Sequence, residues 1–271
     1  MAATTDDAPA AACALPTDND EVNPANFSGD VRANDKLPTR DAIKKTADLP
    51  VLDREGKSHT FKSLYEDFKG QTLIIFVRHF FCGNCQEYLR ILSQGIPLAA
   101  LAKAPTPTQI VVVGCGDPSL IDMYVEAAQC AYPVYADPTR RLYDEFGMVC
   151  TLAMGAPPKY MKHTNMWASS FRSIAQGLRQ LPRGLALKSG NQRQVGGEFL
   201  FQNTGTADKN AVSVSWCHRM KNTRDHAEVD ELQEVLGLEK TAAESTESKP
   251  ENEAAAPIAA PEVAAEETTA A

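Results

Sequence analysis

In Thr72-Leu73-Ile74-Ile75-Phe76-Val77-Arg78-His79-Phe80-Phe81-Cys82-Gly83-Asn84-Cys85 an apolar run leads within a few residues into two cysteines three apart. Thr72 to Val77 is rich in β-branched and aromatic residues, the pattern of a strand buried on both faces and expected at the centre of a sheet. From Asn84 to Gln94 the apolar residues Tyr88, Leu89, Ile91 and Leu92 recur at helical spacing, so a helix follows. The cysteine pair therefore falls at a strand-to-helix junction. Cys82 sits in the first helical turn, where unpaired backbone N–H groups and the helix dipole favour a thiolate at neutral pH. Cys85, one turn further in, is close enough to form a disulfide with it and to displace a mixed disulfide. Gly83 leaves room for a backbone or a substrate to approach. Arg78 and His79 can add positive charge beside Cys82 or, equally, point away along the strand.

The elements on either side repeat the strand-then-helix order. Ile110 to Val113 reads as a second buried strand, stopped at Gly114-Cys115-Gly116-Asp117-Pro118, after which Ser119 caps a helix running to Gln129. Val134-Tyr135 is a short strand. Thr139 to Phe146 is a helix with Leu142, Tyr143 and Phe146 inward, ended by Gly147. Residues 150–191 break the pattern and read as an insertion over the domain, containing a helix from Met166 to Leu181. Gly197 to Phe201 and Ala211 to Trp216 form an antiparallel hairpin, and His226 to Leu236 a last helix. Cys217-His218-Arg219 falls at a strand end, where a solvated edge is the default. Ahead of the cysteines, Leu49 to Leu52, Gly56 and Phe61 to Phe68 supply a small hairpin or a strand plus helix. The order specifies an α/β fold, a mixed sheet with helices on both faces.

Composition bounds the rest. Residues 1–36 hold seven acids against two bases and residues 237–271 eight against two, so of the formal −8 the stretch between keeps a surplus of +3. Both ends, 1–36 and 239–271, are too poor in large apolar residues to offset the entropy of ordering and read as disordered acidic tails around one domain, 37–238. A surplus this small, without a Lys/Arg run, supplies no footprint for nucleic acid or an anionic membrane. No apolar stretch approaches the length of a membrane span, and no signal peptide is evident. The seven cysteines, an odd number, fit a reducing compartment and a cytoplasmic or nuclear protein better than a disulfide framework. Cys115, Cys130 and Cys150 read as packing residues. A metal would need two more ligands; Cys217-His218 and His79 do not stand at zinc spacing, so neither metal nor organic cofactor is expected.

Three motifs in order carry a family resemblance: Phe76 to Tyr88 around the cysteines, Val134 to Met148, and Gln194 to Phe201. Over roughly residues 49–238 the chain resembles the peroxiredoxin-like 2 proteins, whose domain is the AhpC/TSA antioxidant-enzyme domain. It is nearest the branch with an Arg-His-Phe run before the Cys-x-x-Cys. The resemblance implies a thioredoxin-like three-layer α/β/α fold with a mixed central sheet. It also implies thiol chemistry through Cys82 and Cys85; one branch of the family is associated with endoperoxide reduction. Two departures stand out. Where peroxiredoxins have Pro and Thr or Ser ahead of the peroxidatic cysteine, this chain has Ile75 and His79. Where thioredoxins have Trp, Pro and a facing cis-Pro, it has Phe81, Asn84 and no proline around Gln194 to Gly197.

Two functions follow as expectations. In the first, Cys82 attacks a peroxide, endoperoxide or disulfide, Cys85 closes the disulfide, and thioredoxin or glutathione regenerates the dithiol. In the second, the fold is a binding or redox-sensing module without turnover.

Overall fold

The computed structural model describes residues 34–161, 188–205 and 212–238, all within one compact unit. Most of the expected N-terminal tail, all of the C-terminal one and the expected 166–181 helix lie outside the described residues. Among the described residues seven strands form one sheet: β1 (Pro50–Leu52), β2 (Ser58–Thr60), β3 (Gly70–Phe76), β4 (Thr108–Gly114), β5 (Val134–Ala136), β6 (Gly197–Asn203) and β7 (Val212–Arg219), in the order β2-β1-β5-β4-β3-β6-β7. β3, β4 and β5 run parallel, while β6 and β7 are antiparallel to their neighbours, so the sheet is mixed, as the α/β reading expects. The centre falls on β4 rather than on the Thr72 to Val77 run, because the β1–β2 hairpin adds two strands on the far side of β5.

Among the described residues the helices are α1 (Arg40–Ala47), α2 (Ser63–Glu66), α3 (Gly83–Gly95), α4 (Leu98–Leu101), α5 (Ile121–Ala128), α6 (Arg141–Glu145) and α7 (Val229–Val235). Alternation along the strands splits the core in two. Leu73, Ile75, Ile110, Val112 and Leu200 face α3, α5 and α7. Ile74, Phe76, Val111, Val113, Phe199 and Phe201 face α2 and α6. Burying each such side chain contributes about 1.5–3 kcal/mol. The second face is an aromatic cluster, with Tyr65 stacked on Phe201 at 4.5 Å and Phe76 edge-on to Tyr143 at 5.1 Å.

Several boundaries differ from the sequence reading. Asp117, rather than Ser119, caps the 3-10 turn Pro118–Leu120 that leads into α5, its carboxylate accepting from the Ser119 amide at 3.0 Å. α1, capped by Thr39, has no counterpart in that reading; it buries only Thr46, too little apolar surface to show as a periodic stripe. Asn34, Asp35 and Lys36, read as the end of a tail, are held by Arg219: its amide donates to Asp35 Oδ1 at 2.8 Å and its Nη1 to the Asn34 and Lys36 carbonyls at 2.7 and 2.8 Å. Arg219 is accordingly buried, as is Cys217, where a solvated edge was expected. The final helix starts at Val229, three residues later than expected, which frees His226 from helical geometry.

Candidate active site

β3 ends at Phe76, and the Val77 amide extends its pairing with β4 by donating to the Val113 carbonyl at 2.9 Å. The chain then turns tightly: the Cys82 amide donates to the His79 carbonyl at 2.9 Å, and the Gln86 amide to the Cys82 carbonyl at 3.0 Å, the first bond of α3. Cys82 is thus the N-cap residue, with extended backbone, in front of the unpaired amides of the first turn. The Gln86 side chain pins the turn by donating to the Phe80 carbonyl at 3.1 Å. Phe80 packs on Tyr124 and fills the space over Gly114 and Gly116, where a Cβ would approach its ring to 2.3 and 2.5 Å.

Arg78 is buried and aims its guanidinium at the site. Nη1 donates to Cys82 Sγ at 3.2 Å, while Nε and Nη2 donate to the Gln194 and Gln192 carbonyls at 3.2 and 2.5 Å. The segment entering β6 therefore anchors the cation that faces the sulfur. Both cysteines are free thiols; Cys82 is 4% exposed and Cys85 fully buried. The Cys85 thiol hydrogen-bonded to Cys82, with Arg78 adding its charge, holds Cys82 well below the ordinary thiol range. Burial pushes Cys85 well above it, so the pair divides into a thiolate and a thiol. His79 contributes no cation at neutral pH: burial lowers it, and its Nδ1 is buried without a partner. Gly83 opens α3, half-buried. Removing the guanidinium in Arg78→Met is expected to move the pH midpoint of Cys82 alkylation by iodoacetamide up by about 1–3 pH units, read by mass spectrometry of the labelled peptide.

Two functional candidates escaped the sequence reading. His226 Nε2 lies 3.3 Å from Cys85 Sγ, and its Nδ1 lies 2.6 Å from Glu198 Oε1. His226 stacks on Tyr88 with ring centroids 4.2 Å apart and planes 3° from parallel. Both side chains are fully buried. Burial pushes the Glu198 carboxyl up to about 8 and His226 down to about 3. A signal for Glu198 was present: within Gly197 to Phe201 it alternates with Leu200 onto the α3 face, where an acid is not buried without a partner. Nothing local marks His226, which the loop after β7 delivers from 141 residues away.

Of the remaining cysteines, Cys115, Cys130 and Cys217 are buried free thiols. Burial pushes Cys115 up to about 12 and Cys130 up to about 11, as suits packing residues. Cys150 departs from that expectation, being disulfide-bonded. Among the described residues no group of three His, Cys, Asp or Glu side chains is arranged to hold a metal, and no helix is long and apolar enough to cross a membrane.

A sequence profile of the family described as AhpC/TSA antioxidant enzyme matches residues 97–222, a stretch that begins beyond Cys85. Peroxiredoxin-like 2C of Takifugu rubripes is 28% identical over 201 residues, covering 73% of this chain and 83% of that protein. Peroxiredoxin-like 2C of Homo sapiens is 26% identical over 195 residues, 71% and 79% of the two. Among solved structures, Xanthomonas campestris peroxiredoxin Q aligns with a TM-score of 0.43 at 16% identity, covering 74% of this chain and 94% of that one.

Proposed function

We propose, from its similarity to the AhpC/TSA antioxidant-enzyme profile and to the peroxiredoxin-like 2C proteins, that this chain is a thiol-dependent oxidoreductase. Its Cys82 thiolate attacks an O–O or S–S bond. Attack on a peroxide leaves Cys82 as a sulfenic acid and releases an alcohol or water; attack on a disulfide leaves a mixed disulfide and releases a thiol. Cys85 then attacks the Cys82 sulfur, the bound group departs with the electron pair, and the Cys82–Cys85 disulfide stores the two electrons' worth of oxidation. A dithiol donor of the thioredoxin type, or glutathione, reduces it. The observation that carries this reading is the asymmetry of the pair: a sulfur at a helix N-cap under an arginine, next to a thiol that burial keeps protonated.

The 4% exposure of Cys82 favours a second reading, in which the dithiol senses redox state without turnover. One experiment separates the two. The protein is equilibrated with glutathione buffers under argon, quenched and mapped by mass spectrometry, then mixed in a stopped-flow cell with hydrogen peroxide or an organic hydroperoxide. A reversible Cys82–Cys85 disulfide with a potential of roughly −200 to −270 mV, formed repeatedly as oxidant is consumed, supports the oxidoreductase. A pair that oxidises once and is not turned over supports the sensor.

A further inference from the structure

Resolution requires Cys85 to lose a proton in a place with no solvent to take it. Its sulfur is fully buried, and burial holds the thiol protonated well past neutral pH. Yet a nitrogen base stands 3.3 Å away. His226 Nε2 faces Cys85 Sγ, its Nδ1 faces Glu198 Oε1 at 2.6 Å, and Tyr88 stacked on the ring keeps the imidazole in line between them. We propose that His226 accepts the Cys85 proton as Cys85 attacks the Cys82 sulfur, with Glu198 as the positioning residue that holds the imidazole and compensates the imidazolium. This rests on the oxidoreductase reading and names the proton path within it.

The step balances. The S–H bond of Cys85 breaks and its proton goes to His226 Nε2. The sulfur's electron pair forms the Cys82–Cys85 bond. The bond from Cys82 to the departing thiol breaks, and that thiol leaves with its electron pair. In the reverse half-cycle a donor thiolate attacks Cys82, Cys85 departs as a thiolate, and the imidazolium returns the proton.

Burial alone makes His226 a weak base, down to about 3, so Nε2 accepts only when the ring carries its proton on Nδ1 and donates it to an ionised Glu198, whose charge then stands against the imidazolium. Around the dyad stand Arg78 in the turn after β3, Cys82 at the N-cap of α3, Tyr88 and Cys85 on α3, Tyr160, His218 on β7, Asp225 in the loop before α7 and Glu231 on α7. Burial raises the Glu198 carboxyl, aided by Asp225 and Glu231, and outweighs His218 and the Ala227 amide, which draw it down, leaving it at about 8. Below that value the dyad holds one more proton and Nε2 carries a hydrogen. Above it Nε2 is free, so resolution accelerates as pH rises through about 8.

Ellman's disulfide at one equivalent reads the two steps separately on the full chain: attack by Cys82 releases one thionitrobenzoate, and resolution by Cys85 releases a second. The expected wild-type result is a second phase whose rate rises with an inflection near pH 8. His226→Gln slows that phase at pH 8 about 100-fold relative to its own first phase. Glu198→Gln removes the inflection, and Glu198→Asp restores it in part. A His226→Gln second phase as fast as wild type, with the same profile, overturns the proposal. Should that variant not fold, the wild-type profile decides by itself, since a second phase rising only above pH 9, as for an unassisted buried thiol, also overturns it. If wild type releases no thionitrobenzoate at all, the oxidoreductase reading falls and this proposal with it.

Discussion

Cys82→Ser is expected to lower turnover of a peroxide or disulfide substrate by about 10³-fold or more, because a hydroxyl in that place is not ionised near neutral pH and cannot act as the nucleophile. Cys85→Ser is the informative companion. It leaves Cys82 under Arg78, so the first attack still occurs, but the product is not released and accumulates on Cys82 as a covalent adduct visible by intact mass. If Cys82→Ser keeps wild-type turnover, the chemistry lies elsewhere in the chain. The comparison is needed because the matched family segment begins beyond both cysteines, so similarity alone does not assign their roles.

The second large effect is on stability. A methyl group at Gly196 would stand 1.7 Å from the Phe76 carbonyl oxygen and 2.7 Å from its carbon, both backbone atoms that no rotamer change can move aside. Gly196 lies at the crossing where the segment that anchors Arg78 enters β6, and it is tied to Met220 on the other side, whose amide donates to its carbonyl at 3.1 Å. Gly196→Ala must therefore push β6 away from the end of β3. We expect a loss of about 3 kcal/mol, at the upper end of what overpacking costs, and a Tm lower by roughly 6–12 °C in calorimetry. The shift would also carry the Gln194 carbonyl away from Arg78, so Cys82 alkylation should slow in whatever fraction stays folded. A variant with an unchanged Tm would show that the two strand ends are not in such close apposition.

The strands and helices around the cysteines were legible because each carries its own period. Thr72 to Val77 and Ile110 to Val113 are β-branched runs, and α3, α5 and α6 show an apolar face within a few turns. The same locality placed Cys82 at a helix start and ranked it as nucleophile ahead of Cys85. Read one strand at a time, however, the sequence did not show which strand is central: that depends on the β1–β2 hairpin packing beyond β5, a pairing with no local signature.

What the sequence determined by itself, then, is the α/β class, the strand-to-helix setting of the cysteines and the family likeness, since all three are written in neighbours along the chain. The tertiary structure alone decided what surrounds the two sulfurs. Arg78 is aimed at Cys82 by carbonyls 114 and 116 residues away, and Cys85 meets His226 across 141 residues. Contacts of that separation arise only when the sheet brings β3 beside β6 and the loop after β7 closes over α3. The burial that raises Glu198, and separates thiolate from thiol, is a property of that packed arrangement and of no residue alone.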